Sequence, residues 1–223
     1  MANNLRVFNT NSEYQSADLV HPAVSYVIET DKVIYDYTPP TPVFQGKWKA
    51  TYSNGNVISR ECGSSSEIVS GEINRTNLVS VEIGDCVTRI GNDVFYGCSS
   101  LTSIDIPDSV TSIGKRAFWQ CSSLTSIVIP SGVTSIGDNA FGGCRGLIKL
   151  VIPSSVTYIG IGEFNGCTSL ASVIVEAITP PALGNSAFYN SNNCAILVPS
   201  QSVEAYKSAY MWSNYASRIQ AIP

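Results

Sequence analysis

The chain has 223 residues, of which 44% are apolar, and this is enough to build a packed core. Charged residues make up 13% and the formal net charge is −4, so a nucleic-acid partner is not expected, because phosphate binding needs clustered Lys and Arg. No apolar run approaches the roughly 18 residues of a membrane span, and the polar first residues lack a secretory-signal pattern. We expect no membrane insertion, whereas export after signal removal or by another route stays open.

The N-terminal segment, residues 1–45, is predicted to be an extension and linker. Within it, VSYVIETDKVIYDYTPPTP (24–42) indicates a β-hairpin followed by a proline-rich linker at 38–42. The first twenty or so residues show no period, and we expect them to become ordered only against a partner. The segment is therefore a candidate anchor to a larger assembly and a possible site of homo-oligomerisation.

Residues 46–77 are predicted to form a β-hairpin that caps the following region. In KWKATYSNGNVISR (47–60), residues alternate on either side of Asn54-Gly55. This dipeptide favours a type I′ turn between two antiparallel strands.

Residues 78–192 contain a repeat of 23 residues. Four rows follow one another without a gap: LVSVEIGDCVTRIGNDVFYGCSS (78–100), LTSIDIPDSVTSIGKRAFWQCSS (101–123), LTSIVIPSGVTSIGDNAFGGCRG (124–146) and LIKLVIPSSVTYIGIGEFNGCTS (147–169). A fifth row starts at Leu170 and carries one inserted residue before Leu183. We name these rows coils 1 to 5.

Each coil combines two extended pieces with a tight turn. In coil 2, L-x-x-I-x-I starting at Leu101 predicts a strand that Pro107 ends, and Val110 to Ile113 predicts a second one. One coil buries too little apolar surface to offset its ordering entropy, so coils must stack and align like residues in columns. The columns expected are Leu78/Leu101/Leu124/Leu147/Leu170, Phe95/Phe118/Phe141/Phe164 and Cys98/Cys121/Cys144/Cys167.

Glu163 departs from the pattern, because it stands where the other rows have Val94, Ala117 and Ala140. Either this slot points outward in coil 4, or coil 4 is locally distorted.

Residues 193–223 are predicted to form a C-terminal cap. Ile196 to Val198 indicates a last strand, and Ser200 can N-cap a short helix with Val203, Tyr206 and Tyr210 on one side. The closing segment, 218–222, is expected to be extended.

The rows resemble the bacterial leucine-rich repeats of the BspA type, in which strand, Pro, Gly, Phe and Cys recur in phase. The resemblance is close over 78–169 and looser over 170–223. It implies a mainly β solenoid of the α/β repeat type, with a parallel sheet on one face and a role in adhesion or protein binding. The N-terminal leader is weakly similar to segments of virion proteins from phages of gut bacteria.

The cysteines and the single histidine do not favour catalytic or metal chemistry. Four of the seven cysteines are spaced 23 apart, which spreads them along an axis instead of converging them on a metal ion. We expect buried thiols that fill a column, with disulfides between coils as the alternative; Cys86 is also expected to be structural, and the pairing of Cys62 and Cys194 stays open. We expect His21 to be a packing or surface residue rather than part of a triad. No catalytic residue, cofactor or metal is predicted.

The sheet face is the candidate binding surface. By strand alternation, two rows of side chains point away from the core. The first contains Ser80, Ser103, Ser126, Lys149 and Ser172, and the second contains Glu82, Asp105, Val128, Val151 and Ile174. A contiguous exposed strip of Val128, Val151 and Ile174, extended by Leu197, indicates a contact surface. The alternative is that β-branched residues are there because they suit strands.

Two functions follow from this pattern. In the first, the protein is a non-enzymatic recognition or adhesion module for a protein or glycan on a cell surface. In the second, it is a component of a phage virion or another large assembly, anchored by its N-terminal segment to neighbouring subunits. Both favour a surface-exposed location, on a bacterial cell or a virion.

Overall fold

A computed structural model describes residues 26–30, 33–37 and 46–223, the last range with side chains. The chain divides into two compact units, Met1–Val43 and Phe44–Pro223. In the first unit, β1 (Tyr26–Thr30) and β2 (Val33–Tyr37) pair antiparallel, which confirms the hairpin predicted there. The predictions for the first twenty residues, for His21 and for the linker at 38–42 lie outside the described residues.

The second unit is a solenoid in which each coil contributes one strand to each of two parallel series. The first series contains β6 (Leu78–Ile83), β8 (Ser103–Asp105), β10 (Ser126–Val128), β12 (Lys149–Ile152), β14 (Ser172–Val175), β16 (Ala195–Val198) and β17 (Ile219–Ala221). The second contains β5 (Glu67–Ile68), β7 (Arg89–Ile90), β9 (Ser112–Ile113), β11 (Ser135–Ile136), β13 (Tyr158–Ile159) and β15 (Ala182–Leu183). The predicted repeat solenoid is therefore confirmed.

The strands of the two series pair in the register of the repeat. The second series forms one six-stranded parallel sheet, in the order β15-β13-β11-β9-β7-β5. In the first series, β6 pairs with β8. The five-stranded parallel sheet has the order β10-β12-β14-β16-β17. Strands β8 and β10 are neighbours but do not continue one ladder.

The phenylalanine column lies in single file through the core. The ring centroids of Phe95 and Phe118 are 5.2 Å apart, those of Phe118 and Phe141 5.3 Å, and those of Phe141 and Phe164 6.3 Å. Phe188 of coil 5 continues the column at 5.1 Å from Phe164. Since all five rings are buried, this stack and the fully buried leucine column form the centre of the core.

The cysteine column consists of buried free thiols, as expected. Each thiol from coil 2 onward donates to the backbone carbonyl of the phenylalanine one coil earlier. The Sγ–O distance is 3.1 Å for Cys121 to Phe95, Cys144 to Phe118 and Cys167 to Phe141. Burial raises the pKa of Cys144 well above its usual range and raises the pKa of Cys167 to about 12, so these two groups are inert core thiols at neutral pH.

Cys62 and Cys194, whose pairing the sequence left open, differ in their bonding state. Cys62 and Cys86 form a disulfide, which settles the pairing of Cys62 and confirms a structural role for Cys86. Cys194 is buried and free, and the Arg218 guanidinium contacts its sulfur at 2.8 Å.

The close spacing of the coils explains the glycine that follows the second strand of coils 1 to 5. A Cβ atom placed on Gly114 would lie 2.6 Å from the backbone carbon of Gly91 in the preceding coil. Because real atoms do not approach so closely, this slot accepts only glycine in the stack.

Glu163 points inward and is fully buried. Its Oε2 accepts a hydrogen bond from the backbone N–H of Ala140 at 3.2 Å, whereas its Oε1 has no partner. Burial raises the pKa of this carboxyl group well above its usual range. Of the two sequence alternatives, the outward orientation is wrong, and the wider ring spacing beside coil 4 shows the local distortion.

The N-terminal end of the solenoid carries the predicted hairpin. Strand β3 (Trp48–Tyr52) pairs antiparallel with β4 (Val57–Arg60) and, on its other side, with β6 of coil 1. The predicted type I′ turn is wrong: Gly55 has φ +83°, but Asn54 is not in the left-handed region. The Gly55 N–H donates to the Tyr52 carbonyl, as in a three-residue loop with a type I turn and a glycine bulge.

The C-terminal end contains short helices and one more parallel strand. After β16 come a 3₁₀ helix (Ser200–Ser202), α1 (Val203–Ser208), a second 3₁₀ helix (Trp212–Arg218) and β17, which pairs with β16. Ser200 lies inside the first 3₁₀ helix and does not cap α1, so that prediction is wrong. Tyr206 is buried as expected, but Tyr210 is 83% exposed because α1 ends before it.

Candidate binding surface on the first strand series

The predicted binding residues lie side by side on the first strand series. Ser80 and Glu82 pair with Ser103 and Asp105, respectively, in the register of β6 and β8. Ser126 and Val128 pair with Lys149 and Val151 across β10 and β12. Ser172 and Ile174 continue the same two rows on β14. The structure therefore brings the ten predicted residues into two rows of five, with a discontinuity of the ladder between β8 and β10.

The apolar strip, defined as Val128, Val151 and Ile174, lies on the outer side of the sheet. Val128 is 78% exposed, and Val151 and Ile174 are half-buried. The alternating residues of the same strands, including Ile127, Leu150 and Val173, are buried in the core. Leu197 pairs with Ile174 and lengthens the strip by one strand. Strand alternation thus places apolar side chains on both sides of this part of the sheet.

The other end of the surface is charged. Glu82 forms an ion pair with Lys49 of β3, in which Nζ lies 3.4 Å from Oε2, and both side chains are more than one-third exposed. Asp105 is exposed, and among the described residues it forms no ion pair. The surface therefore changes from an acidic end, partly neutralised by Lys49, to an apolar strip bordered by Lys149.

Sequence reasoning missed Lys49 as a member of this surface. Lys49 reaches Glu82 because β3 adds to β6 antiparallel and in register. The hairpin itself was recognisable from its alternation, but the repeat contains no signal for which strand of the hairpin pairs with coil 1.

A second feature that the repeat did not predict is a cleft beside the inserted residue of coil 5. It is lined by residues of coils 4 and 5: Ser154, Val156, Thr157, Glu176, Ile178 and Pro180. Two cap aromatics hold this loop, since the Tyr206 hydroxyl donates to the Ala177 carbonyl and the Trp212 indole N–H donates to the Pro181 carbonyl, both at 2.7 Å. Ile178 consequently projects into solvent with 64% of its surface exposed.

Within the part of the chain that the structure describes, no group of three or more His, Cys, Asp or Glu side chains could hold a metal ion. In the same residues, no helix is both long and apolar enough to cross a lipid bilayer.

Stacked 23-residue coils with two parallel strand series, a phenylalanine column and a sheet-face surface define a leucine-rich-repeat solenoid. The chain belongs to the BspA type leucine rich repeat family, whose model matches six copies over residues 66–195 and 134–219. The sequence resemblance to this family is therefore confirmed. No curated protein matches the chain significantly.

Solved structures of bacterial leucine-rich repeat proteins are similar to the chain. A leucine rich cell surface protein from Faecalibacterium prausnitzii is 26% identical, with 72% of this chain and 55% of that one covered and a TM-score of 0.45. The pneumococcal vaccine antigen PcpA is 16% identical over 78% of this chain and 46% of its own, with a TM-score of 0.50. A leucine-rich repeat protein from Eubacterium ventriosum is 21% identical over 61% and 38%, with a TM-score of 0.50. The last two share the fold, and the chain spans about half of the length of these three structures.

Proposed function

We propose that the protein is a non-enzymatic recognition module that binds a protein or glycan at a cell surface through the outer side of its first strand series. The observation that carries this proposal is the in-register apolar strip next to hydroxyl and charged groups. Val128 exposes 78% of its surface on β10, which pairs in register with β12, and Val151 and Ile174 continue the row as half-buried side chains. Exposed apolar side chains in a row favour contact with a partner, because a partner removes them from water.

The shape of the fold supports the same proposal. Each coil adds two outward side chains at a spacing fixed by strand pairing, so the surface is long, shallow and rigid. Such a surface suits a partner that spans several coils. Serine hydroxyls and Lys149 beside the strip supply hydrogen-bond donors for orientation.

The test is binding to fixed epithelial cells, compared between the wild type and a Val128→Glu/Val151→Glu variant. We expect the variant to lose at least about 90% of the bound protein, since two desolvated carboxylates in a contact cost several kcal/mol. Pretreatment of the cells with protease or with periodate distinguishes a protein from a glycan partner.

The matched control is an Ile161→Glu/Ile178→Glu variant. Both residues are exposed, at 48% and 64%, and both lie off the first strand series. This variant should bind as the wild type does. Equal binding by the sheet variant, in a protein with unchanged circular dichroism, would contradict the proposal.

The second candidate is a structural or receptor-binding component of a virion or another large assembly. The observation in its favour is that Met1–Val43 forms a compact unit of its own, which suits a segment that docks elsewhere. For this function, the full chain should form a defined oligomer by light scattering, and a chain starting at Phe44 should be monomeric. A monomeric full chain that binds cells favours the recognition module instead.

A further inference from the structure

The disulfide lies at the N-terminal end of the solenoid, where the hairpin gives way to the first coil. Cys62 is in an exposed irregular stretch, 61–66, between β4 and β5. Cys86 is in the turn between β6 and β7 of coil 1, and the two Cα atoms are 6.2 Å apart. The bond therefore ties the incomplete coil that contains β5 to coil 1.

The slot of Cys86 has a defined task in later coils. It is occupied by Ser109 in coil 2 and by Ser155 in coil 4. The Ser109 hydroxyl donates to the Val87 carbonyl at 2.7 Å, and the Ser155 hydroxyl donates to the Val133 carbonyl at 2.6 Å. In both cases the acceptor belongs to the preceding coil, so in coils 2 and 4 this slot fastens the coil to the one before it; coil 3 has Gly132 there and lacks the bond.

Cys86 makes the same backward connection by a covalent bond. Its partner lies 24 residues earlier, close to the length of one repeat. The incomplete coil is also joined to coil 1 by the pairing of β5 with β7 and by an ion pair between Arg89 and Glu67. The backbone bonds at this junction include those from Thr88 N–H to the Ser66 carbonyl and from Gly91 N–H to the Ile68 carbonyl, both at 2.8 Å. Ser66 and Thr88 are exposed, so water competes for the first of these bonds, whereas Gly91 and Ile68 are buried.

We propose that the Cys62–Cys86 disulfide is a covalent end-staple that forms in a thiol-oxidising compartment. It keeps the incomplete coil, which contains β5, closed on coil 1. Its formation is a thiol–disulfide exchange. Each cysteine loses a proton, the S–S bond forms, and two electrons pass to a disulfide-containing oxidant, which leaves as two thiols. The five other cysteines are buried, so the oxidant reaches only this pair. The proposal concerns maturation and does not depend on the binding surface.

The first test compares amide hydrogen exchange by NMR in the oxidised wild type and after mild reduction with a phosphine. Exchange at Thr88 and Gly91 should become at least about tenfold faster, because reduction lowers the cost of local opening. The controls are Thr111 and Gly114, which make the same bonds one coil later, to the Thr88 and Ile90 carbonyls. These two amides should not change. Unchanged rates at all four amides, or an equal increase at all four, would overturn the staple.

The second test measures the state of the thiols in source cells. Cells are quenched in acid, and free thiols are alkylated before and after reduction. Peptides with Cys62 and Cys86 should be labelled only after reduction. Labelling of both before reduction would overturn the proposed oxidising maturation. A Cys62→Ser/Cys86→Ser variant should show fast exchange at Thr88 with and without phosphine, which ties the effect to this bond.

Discussion

The junction between coils 2 and 3 and the junction between coils 3 and 4 differ by one buried residue. At the first junction the ring centroids of Phe118 and Phe141 are 5.3 Å apart, and at the second those of Phe141 and Phe164 are 6.3 Å apart. The regular junction has the hydrogen bond from Phe118 N–H to the Ala140 carbonyl, at 2.8 Å. At the wide junction, the Glu163 carboxyl group accepts a hydrogen bond from the Ala140 N–H at 3.2 Å.

The repeat thus sets the spacing of the coils, and one side chain overrides it locally. The opposite flank of the same junction is unaffected. The Thr157 N–H still donates to the Thr134 carbonyl at 3.1 Å, as Thr134 does to Thr111 at 2.9 Å. A carboxyl group between two coils therefore separates them only on the phenylalanine side.

The largest effect is expected from removing a ring at the regular junction. Phe118→Ala should lower the free energy of unfolding by about 3–5 kcal/mol, because it opens a cavity between two closely stacked rings. Phe164→Ala should cost less, since one of its neighbours is already 6.3 Å away. Urea unfolding at pH 7 measures both. A larger loss for Phe164→Ala would contradict the packing difference.

A smaller effect of opposite sign is expected from Glu163→Ala. Alanine fills this slot in coils 2, 3 and 5, as Ala117, Ala140 and Ala187. Removing a buried carboxyl oxygen without a partner should raise the free energy of unfolding by about 1–3 kcal/mol at pH 8. The reciprocal change, Ala140→Glu, should lower it. A crystal structure of Glu163→Ala should show the Phe141–Phe164 spacing of the regular junctions, and an unchanged spacing would separate the distortion from Glu163.

The pH dependence sharpens the role of Glu163. Its folded pKa lies above the value of 4.5 for an unperturbed glutamic acid, because burial disfavours the charged form. Between these two pKa values the folded state keeps a proton that the unfolded state has lost. The contribution of Glu163 to stability is therefore most favourable below pH 4.5 and is lost as pH rises through the folded pKa, by at most about 1.4 kcal/mol per pH unit.

Glu163→Gln should remove this contribution. Urea midpoints between pH 5 and pH 8 should fall in the wild type relative to this variant. Glu176→Gln, at an exposed position, is the control and should keep the wild-type profile. Parallel profiles of the wild type and Glu163→Gln would show that Glu163 does not titrate in this range.

The smallest effect is expected on the threonine flank. The Thr134 hydroxyl donates to the Thr111 carbonyl at 3.3 Å, and the Thr157 hydroxyl donates to the Thr134 carbonyl at 3.4 Å. Both are exposed, so Thr134→Val and Thr157→Val should each cost no more than about 1 kcal/mol. Similar values for the two would support a distortion limited to the phenylalanine side, whereas a clearly larger cost at Thr134 would extend it across the coil.

Most residues of the candidate surface could be predicted from the sequence. The place where its strand ladder breaks depends on contacts between segments that are distant in the chain. The period of 23 and strand alternation placed Val128, Val151 and Ile174 on one side of the sheet, as the register shows. The break between β8 and β10 was not encoded in any row. Recognition through this surface stays a prediction until partner binding is measured.

By itself, the sequence determined the stacked coils, because like residues at a fixed interval can be buried only by aligning in columns. It also determined the hairpin and the buried thiols, since both depend on local patterns. Only the tertiary structure decided the Cys62–Cys86 bond, the Lys49–Glu82 pair, the inward position of Glu163 and the exposure of Tyr210. These depend on which segments meet in space, and a local pattern does not contain the position of a partner that lies one coil or one hairpin away.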